Sequence, residues 1–165
     1  MRSEIKRFGR GFVYAWNGIR ASVQEERNFR FHLCAACYAV ILGMLADLSC
    51  MEWALLAFCI TAVLGMELMN SAVERAVDKP DTTHWWSAGA AKDMAAGAVL
   101  IVALGALAVG GCLFLPRLNA IGNALRQSPW IGVVCAAALI PAYFFIFRYN
   151  SATQKGESTN GKTDS

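Results

Sequence analysis

The chain has 165 residues, 56% of them hydrophobic and 16% charged, with a net charge of +3 and a mean hydropathy of +0.40. Soluble domains average about 45–50% apolar and 25% charged residues, so this composition excludes an ordinary water-soluble globule and points to one small membrane-embedded domain. The positive charge clusters near the N-terminus without an RNA- or DNA-binding motif, which suits contact with anionic lipid and not with nucleic acid.

The first predicted element is an amphipathic helix over residues 3–25. Ile5, Phe8, Phe12, Trp16, Ile19 and Val23 fall within a sector of about 80° at 100° per residue, with Lys6, Arg10, Asn17, Arg20 and Gln24 opposite. A helix of this kind lies in the membrane interface with its apolar side down. The first 28 residues hold no unbroken apolar run, so no signal peptide is expected.

Four apolar segments follow, at about 29–48, 51–78, 87–115 and 130–147. The third contains an uncharged run from Met94 to Leu115, and the fourth holds Pro141, which is expected to kink it. A transmembrane helix needs about 20 apolar residues, so each segment is a candidate span. The expected fold is an all-α integral membrane protein: an interfacial helix, three core transmembrane helices and a fourth C-terminal span. Residues 1–117 would form the core, 118–147 a linker with the extra span, and 148–165 a disordered polar tail.

Thirteen of the fifteen Lys and Arg residues flank one end of these spans, and two (Arg117 and Arg126) flank the other. The positive-inside rule therefore puts both termini in the cytoplasm. The six cysteines lie almost entirely in apolar segments. Cys34 and Cys37 match C-x-x-C only formally, and all six read as small packing residues.

The sequence departs most from a plain membrane helix at Glu67-Leu-Met-Asn70-Ser71-Ala-Val-Glu74-Arg75-Ala-Val-Asp78. Glu67, Ser71, Glu74 and Asp78 share a helix sector of about 60°, with Asn70 beside them. A charge at mid-membrane costs roughly 2.5–3.5 kcal/mol, so carboxylates growing out of an apolar helix are functional candidates. The simplest alternative is a solvated helix end. Lys92 and Asp93 open the third span between runs of Ala and Gly, which permit close helix approach, and Glu25 and Glu26 end the amphipathic helix. Lys92 taken alone reads equally as a positive-inside anchor.

Glu26, Glu67, Asn70, Glu74 and Lys92 together offer what phosphoryl transfer needs. Carboxylate oxygens can hold Mg²⁺ against ATP phosphates, a lysine can neutralise the moving charge, and a free carboxylate can take a hydroxyl proton. No Walker A motif, G-x-G-x-x-G loop, Ser/His/Asp triad or zinc-ligand spacing is present. A small cation transporter or a non-catalytic membrane scaffold are the competing readings. Transporter sites lie near the midplane on broken helices, which disfavours the first.

These stretches resemble the prokaryotic diacylglycerol kinase family of small membrane lipid kinases. The resemblance rests on Phe12-Val-Tyr14-Ala-Trp16-Asn-Gly18-Ile-Arg20, Glu25-Glu26-Arg-Asn28-Phe29-Arg30, the Glu67–Asp78 block and Ala91-Lys92-Asp93-Met-Ala-Ala-Gly97. They occur in family order over about residues 5–117. The Glu-Glu-Arg-Asn-Phe-Arg stretch and Phe114-Leu-Pro116 resemble the undecaprenol kinase branch of Gram-positive bacteria.

The resemblance implies an enzyme of the bacterial inner membrane that phosphorylates a lipid alcohol, diacylglycerol or undecaprenol, with ATP and Mg²⁺. It implies Glu67 as catalytic base and Glu26 and Glu74 as metal ligands. Tyr14, Glu26, Asn70, Glu74, Lys92 and Asp93 are implied nucleotide contacts, and Trp16, Arg20, Phe29, Arg30 and Trp53 lipid contacts. It further implies a homotrimer with shared active sites. Where family members carry a Glu-Tyr-His-type nucleotide triplet, this chain has Thr83-His84-Trp85, a departure that bears on nucleotide contacts from that loop. The fourth span is also absent from the three-span family core, and Asp78 has no implied role.

Overall fold

Why the chain turns where it does is clearest between its first two spans. Ala46 closes one helix through its N–H to the Leu42 carbonyl, and Asp47 follows at φ 51°. That is left-handed backbone, which Asp tolerates better than most residues. Ser49 then caps the next helix in a reciprocal capping box with Glu52. The computed structural model describes residues 2–78 and 86–147. The Thr83-His84-Trp85 departure and the tail expected to be disordered lie outside the described residues.

The elements are α1 (Arg2–Glu25), α2 (Arg27–Leu45), α3 (Cys50–Val77), α4 (Trp86–Phe114), a short 3-10 turn (Leu115–Arg117), α5 (Leu118–Gln127) and α6 (Pro129–Phe147). Among the described residues there is no strand, and four helical stretches are long and apolar enough to cross a membrane. The all-α membrane architecture read from the sequence is therefore observed.

Two local differences stand out. Residues 118–127, expected as a linker, form α5, whose Ile121 and Leu125 pack onto the core while Leu118 faces outward. Helix α6 runs from Pro129 to Phe147 through Pro141, which lacks the N–H that would bond the Ala137 carbonyl.

The core sits at the turn end of the bundle. Ala46, Leu48, Leu56, Leu113 and Ile121 form it, with Trp53 and Ile60 among the residues packed around it. Gly43 is needed here, because a Cβ at that position would meet Trp53 Cη2 at 2.8 Å. Arg117 ties the end of α4 to the start of α3, its Nη2 donating to Glu52 Oε1 at 2.7 Å.

Helix α3 has 28 residues, about 42 Å at 1.5 Å per residue. The hydrocarbon core is about 30 Å thick, so a helix anchored at Cys50 outruns it near Asn70. The acidic face from Asn70 to Asp78 thus emerges at the end of the bundle opposite the core.

Helix α6 runs back along α2 to that same end. Partway along, Tyr38 Oη donates to the Cys135 carbonyl at 3.1 Å, and at the acidic end Arg27 lies 5.8 Å over the Phe147 ring. Arg30 is 0% exposed. Its Nη1 donates to the Val23 and Gln24 carbonyls at 3.1 and 3.0 Å, and its Nη2 to the Ile146 carbonyl at 3.1 Å. One guanidinium therefore joins the end of α1, the start of α2 and the end of α6. Hydrogen bonds to charged groups contribute about 1.5–3 kcal/mol each. Arg30→Met is expected to lower stability by roughly 3 kcal/mol or more, read as a lower SDS midpoint in mixed-micelle unfolding. Arg30→Lys should recover only part, since an ammonium lacks the planar fork.

Candidate functional site

The polar end of the bundle is built from the first two turns of α2, the last three turns of α3 and the first turns of α4. Glu67 belongs to α3 yet is only 3% exposed, because it faces inward. Its Oε1 lies 3.1 Å from His32 Nε2, on α2. Ser71, one turn on and also buried, donates its hydroxyl to the Glu67 backbone carbonyl at 3.0 Å. That bond fastens the helix under the carboxylate.

Asn70 and Glu74 form the next layer. Asn70 Nδ2 donates to Glu74 Oε1 at 2.9 Å. Asn70 Oδ1 is buried and, among the described residues, has no hydrogen-bond partner. Such an orphaned acceptor is uncommon in a native interior and invites a donor or a cation. Glu67 is within electrostatic reach of both Glu26 and Glu74. The three acids of the sequence reading thus converge on one end of the bundle although Glu26 comes from the α1–α2 junction.

Arg75 holds that junction to α3. Its Nη2 lies 2.9 Å from Glu25 Oε2 and 3.3 Å from Glu26 Oε1. Half-exposed pairs of this kind add little stability, about 0–1 kcal/mol, but they orient Glu26. Across the mouth, Lys92 Nζ reaches both oxygens of Asp78, at 2.6 and 2.7 Å. Asp78, which had no role in the sequence reading, is the clasp between the end of α3 and the start of α4. Asp93, the next residue, is exposed.

The remaining expected contacts fall into two groups. Tyr14, Trp16 and Arg20 lie on the exposed stretch of α1, whose apolar side the described residues leave uncovered. They are available to a lipid or to another molecule. Phe29, Arg30 and Trp53, the other expected lipid contacts, lie elsewhere in the fold. Phe29 and Arg30 are buried inside the chain, Arg30 because its guanidinium is consumed by three carbonyls. Trp53, partly buried, packs beside Gly43 against the core, at the end of α3 away from Glu67.

Sequence reasoning left His32 without a role. A titratable residue within an apolar run was the available signal, but its partner lies 35 positions away and only the packing of α2 on α3 reveals it. Among the described residues no cluster of three or more His, Cys, Asp or Glu side chains is assembled as a metal cage. The free oxygens present are hard carboxylate and amide donors. That set fits Mg²⁺, which is commonly bound by one or two carboxylates together with substrate phosphates.

Comparison with known proteins places these residues in a family. A family model described as prokaryotic diacylglycerol kinase matches residues 13–114, a region that contains Tyr14 to Asp93 and stops at the end of α4. The undecaprenol kinase of Bacillus subtilis (strain 168) is 43% identical over 117 residues, 71% of this chain and 95% of that protein. The diacylglycerol kinase of Synechocystis sp. is 40% identical over 108 residues, 65% of this chain and 62% of that protein. The diacylglycerol kinase of Escherichia coli (strain K12) is 33% identical over 102 residues, 62% and 83% of the two chains. No solved structure matches the chain. On its matched core and on the relatives that share it, this chain belongs to the prokaryotic diacylglycerol kinase family.

Proposed function

We propose that the chain is a membrane lipid kinase that transfers the γ-phosphoryl group of ATP to the hydroxyl of a lipid alcohol. The observation that carries the reading is the sealed carboxylate of Glu67 in line with the Asn70–Glu74 pair, with Glu26 of the α1–α2 junction held to the same helix by Arg75. A transporter or a scaffold would leave this convergence without a purpose, and family membership speaks against both.

In this reading Glu67 takes the proton of the lipid hydroxyl as its oxygen attacks the γ-phosphorus. Glu26 and Glu74, with the orphaned Asn70 Oδ1, would hold Mg²⁺ beside the ATP phosphates. Bound there, the ion would neutralise charge on the transferring group. Arg75 engages Oε1 of Glu26 and leaves Oε2 for a cation. Lys92 faces the same mouth, and its ammonium has three donors, so it can keep Asp78 while reaching a phosphate. Asp93 and Tyr14 would line the nucleotide.

The Lys and Arg distribution supports a cytoplasmic location for this end of the bundle, where ATP is. The uncovered apolar side of α1 supports an interfacial helix and an assembly in which several copies enclose ATP and headgroup, a homotrimer as the family resemblance implies. The relative covered over 95% of its length is named an undecaprenol kinase. That favours a polyprenol over diacylglycerol as the acceptor.

Three measurements test the reading. Purified protein in lipid micelles should phosphorylate a lipid alcohol in a Mg²⁺-dependent manner, and Glu67→Gln should lower kcat by about 10²–10⁴-fold. Retention of activity by Glu67→Gln would remove it as the base. Assayed side by side, undecaprenol should give the higher kcat/KM, and a preference for diacylglycerol would reverse the acceptor assignment. Chelation of Mg²⁺ should abolish transfer with either alcohol, and activity without a divalent ion would exclude the metal role of Glu26 and Glu74.

A further inference from the structure

His32 stands outside the set of residues the sequence assigned, yet it touches the residue on which the proposed reaction turns. Its Nε2 is 3.1 Å from Glu67 Oε1. Only 4% of the Glu67 side chain is exposed, against 21% of His32. Among the described residues no other side chain bonds that carboxylate. The nearby polar groups are committed elsewhere: the Ser71 hydroxyl to the Glu67 backbone carbonyl, and the Asn70 amide N–H to Glu74.

A carboxylate on a two-carbon stem turns readily, and a base must present one oxygen within hydrogen-bond reach of the proton it removes. Misplacing a reacting group by about 1 Å can cost on the order of 10²-fold in rate. Helix α3 fixes the stem of Glu67 but not the plane of its carboxylate. The imidazole of His32 does fix it, and the imidazole is itself held on α2, with the Phe31 ring edge-on at 5.4 Å between centroids.

We propose that His32 is the positioning residue of the base: by holding Glu67 Oε1 it leaves Oε2 to face the lipid hydroxyl. This rests on the reading of Glu67 as the base. In the step itself the lipid oxygen forms a bond to the γ-phosphorus, and the bond from that phosphorus to the β,γ-bridging oxygen breaks. ADP departs with the electron pair, the hydroxyl proton passes to Glu67 Oε2, and His32 keeps its hydrogen bond without exchanging a proton.

The test compares two side chains of similar length at position 32 in the intact membrane protein. Gln can donate an N–H to Oε1, and Met cannot. His32→Gln should keep kcat within about threefold of the parent while His32→Met loses about 10–100-fold. KM for ATP should change little in either, because the histidine acts through Glu67 and not on the nucleotide. Adding His32→Met to Glu67→Gln should cost nothing further, as expected for residues that act as one unit. SDS unfolding midpoints identify any variant that fails to fold, and the Gln variant carries the comparison in that event. Equal kcat in the Gln and Met variants, whether both high or both low, overturns the positioning role. An active Glu67→Gln protein overturns instead the assignment of the base, and so distinguishes the two failures.

Discussion

A guanidinium with no exposed surface holds this molecule's working end together. Arg30 lies in the first turn of α2 and gives its N–H groups to carbonyls at the end of α1 and near the end of α6. Carbonyl oxygens at helix ends have no partner within their own helix, and in a membrane an unsatisfied one is costly. Arg30 satisfies three such groups at once. Two residues on, and about 200° around the same helix, His32 points the other way, toward Glu67 on α3. The first two turns of α2 are thus a hub, with the scaffold on one side and the candidate chemistry on the other.

The two ends of the bundle divide the tasks of stability and reaction. The turn end is apolar and close-packed around Leu48, Leu56, Leu113 and Ile121, pinned by the Ser49–Glu52 cap and by Arg117. The opposite end carries the acids and their cations. Length separates them: α3 is long enough to start in the core and still emerge from the hydrocarbon with its acidic face exposed to the aqueous side. The pairs at the mouth, Arg75 with Glu25 and Glu26 and Lys92 with Asp78, are partly exposed. Their worth lies in orientation more than in stability.

Helix α6 lies beyond the region shared with the family model. It buries no residue of its own, and it is held to α2 by polar and cation–π contacts at Tyr38, Arg30 and Arg27. A helix that is apolar all round gains nothing from sequestering that surface within lipid, so directional contacts must fix its place. Its attachment through Arg30 makes it part of the support of the site and not a loose appendage.

Much of this was legible in the sequence because the membrane simplifies the problem. Span lengths follow from hydrocarbon thickness, and the acidic stripe follows from the helical period, so Glu67, Asn70, Ser71, Glu74 and Asp78 were readable as one face. Helix α5 was also encoded, in the one-turn spacing of Ile121 and Leu125, though a polar stretch between spans reads first as a linker. The tertiary structure alone decided the pairings. His32 with Glu67, Lys92 with Asp78 and Arg30 with Ile146 join residues far apart in the chain, and periodicity within one helix carries no information about which face meets which neighbour. It also decided that Phe29 and Arg30 point inward: in the sequence an arginine at a membrane boundary looks like a lipid contact, and only the three carbonyls around it show where its charge is spent.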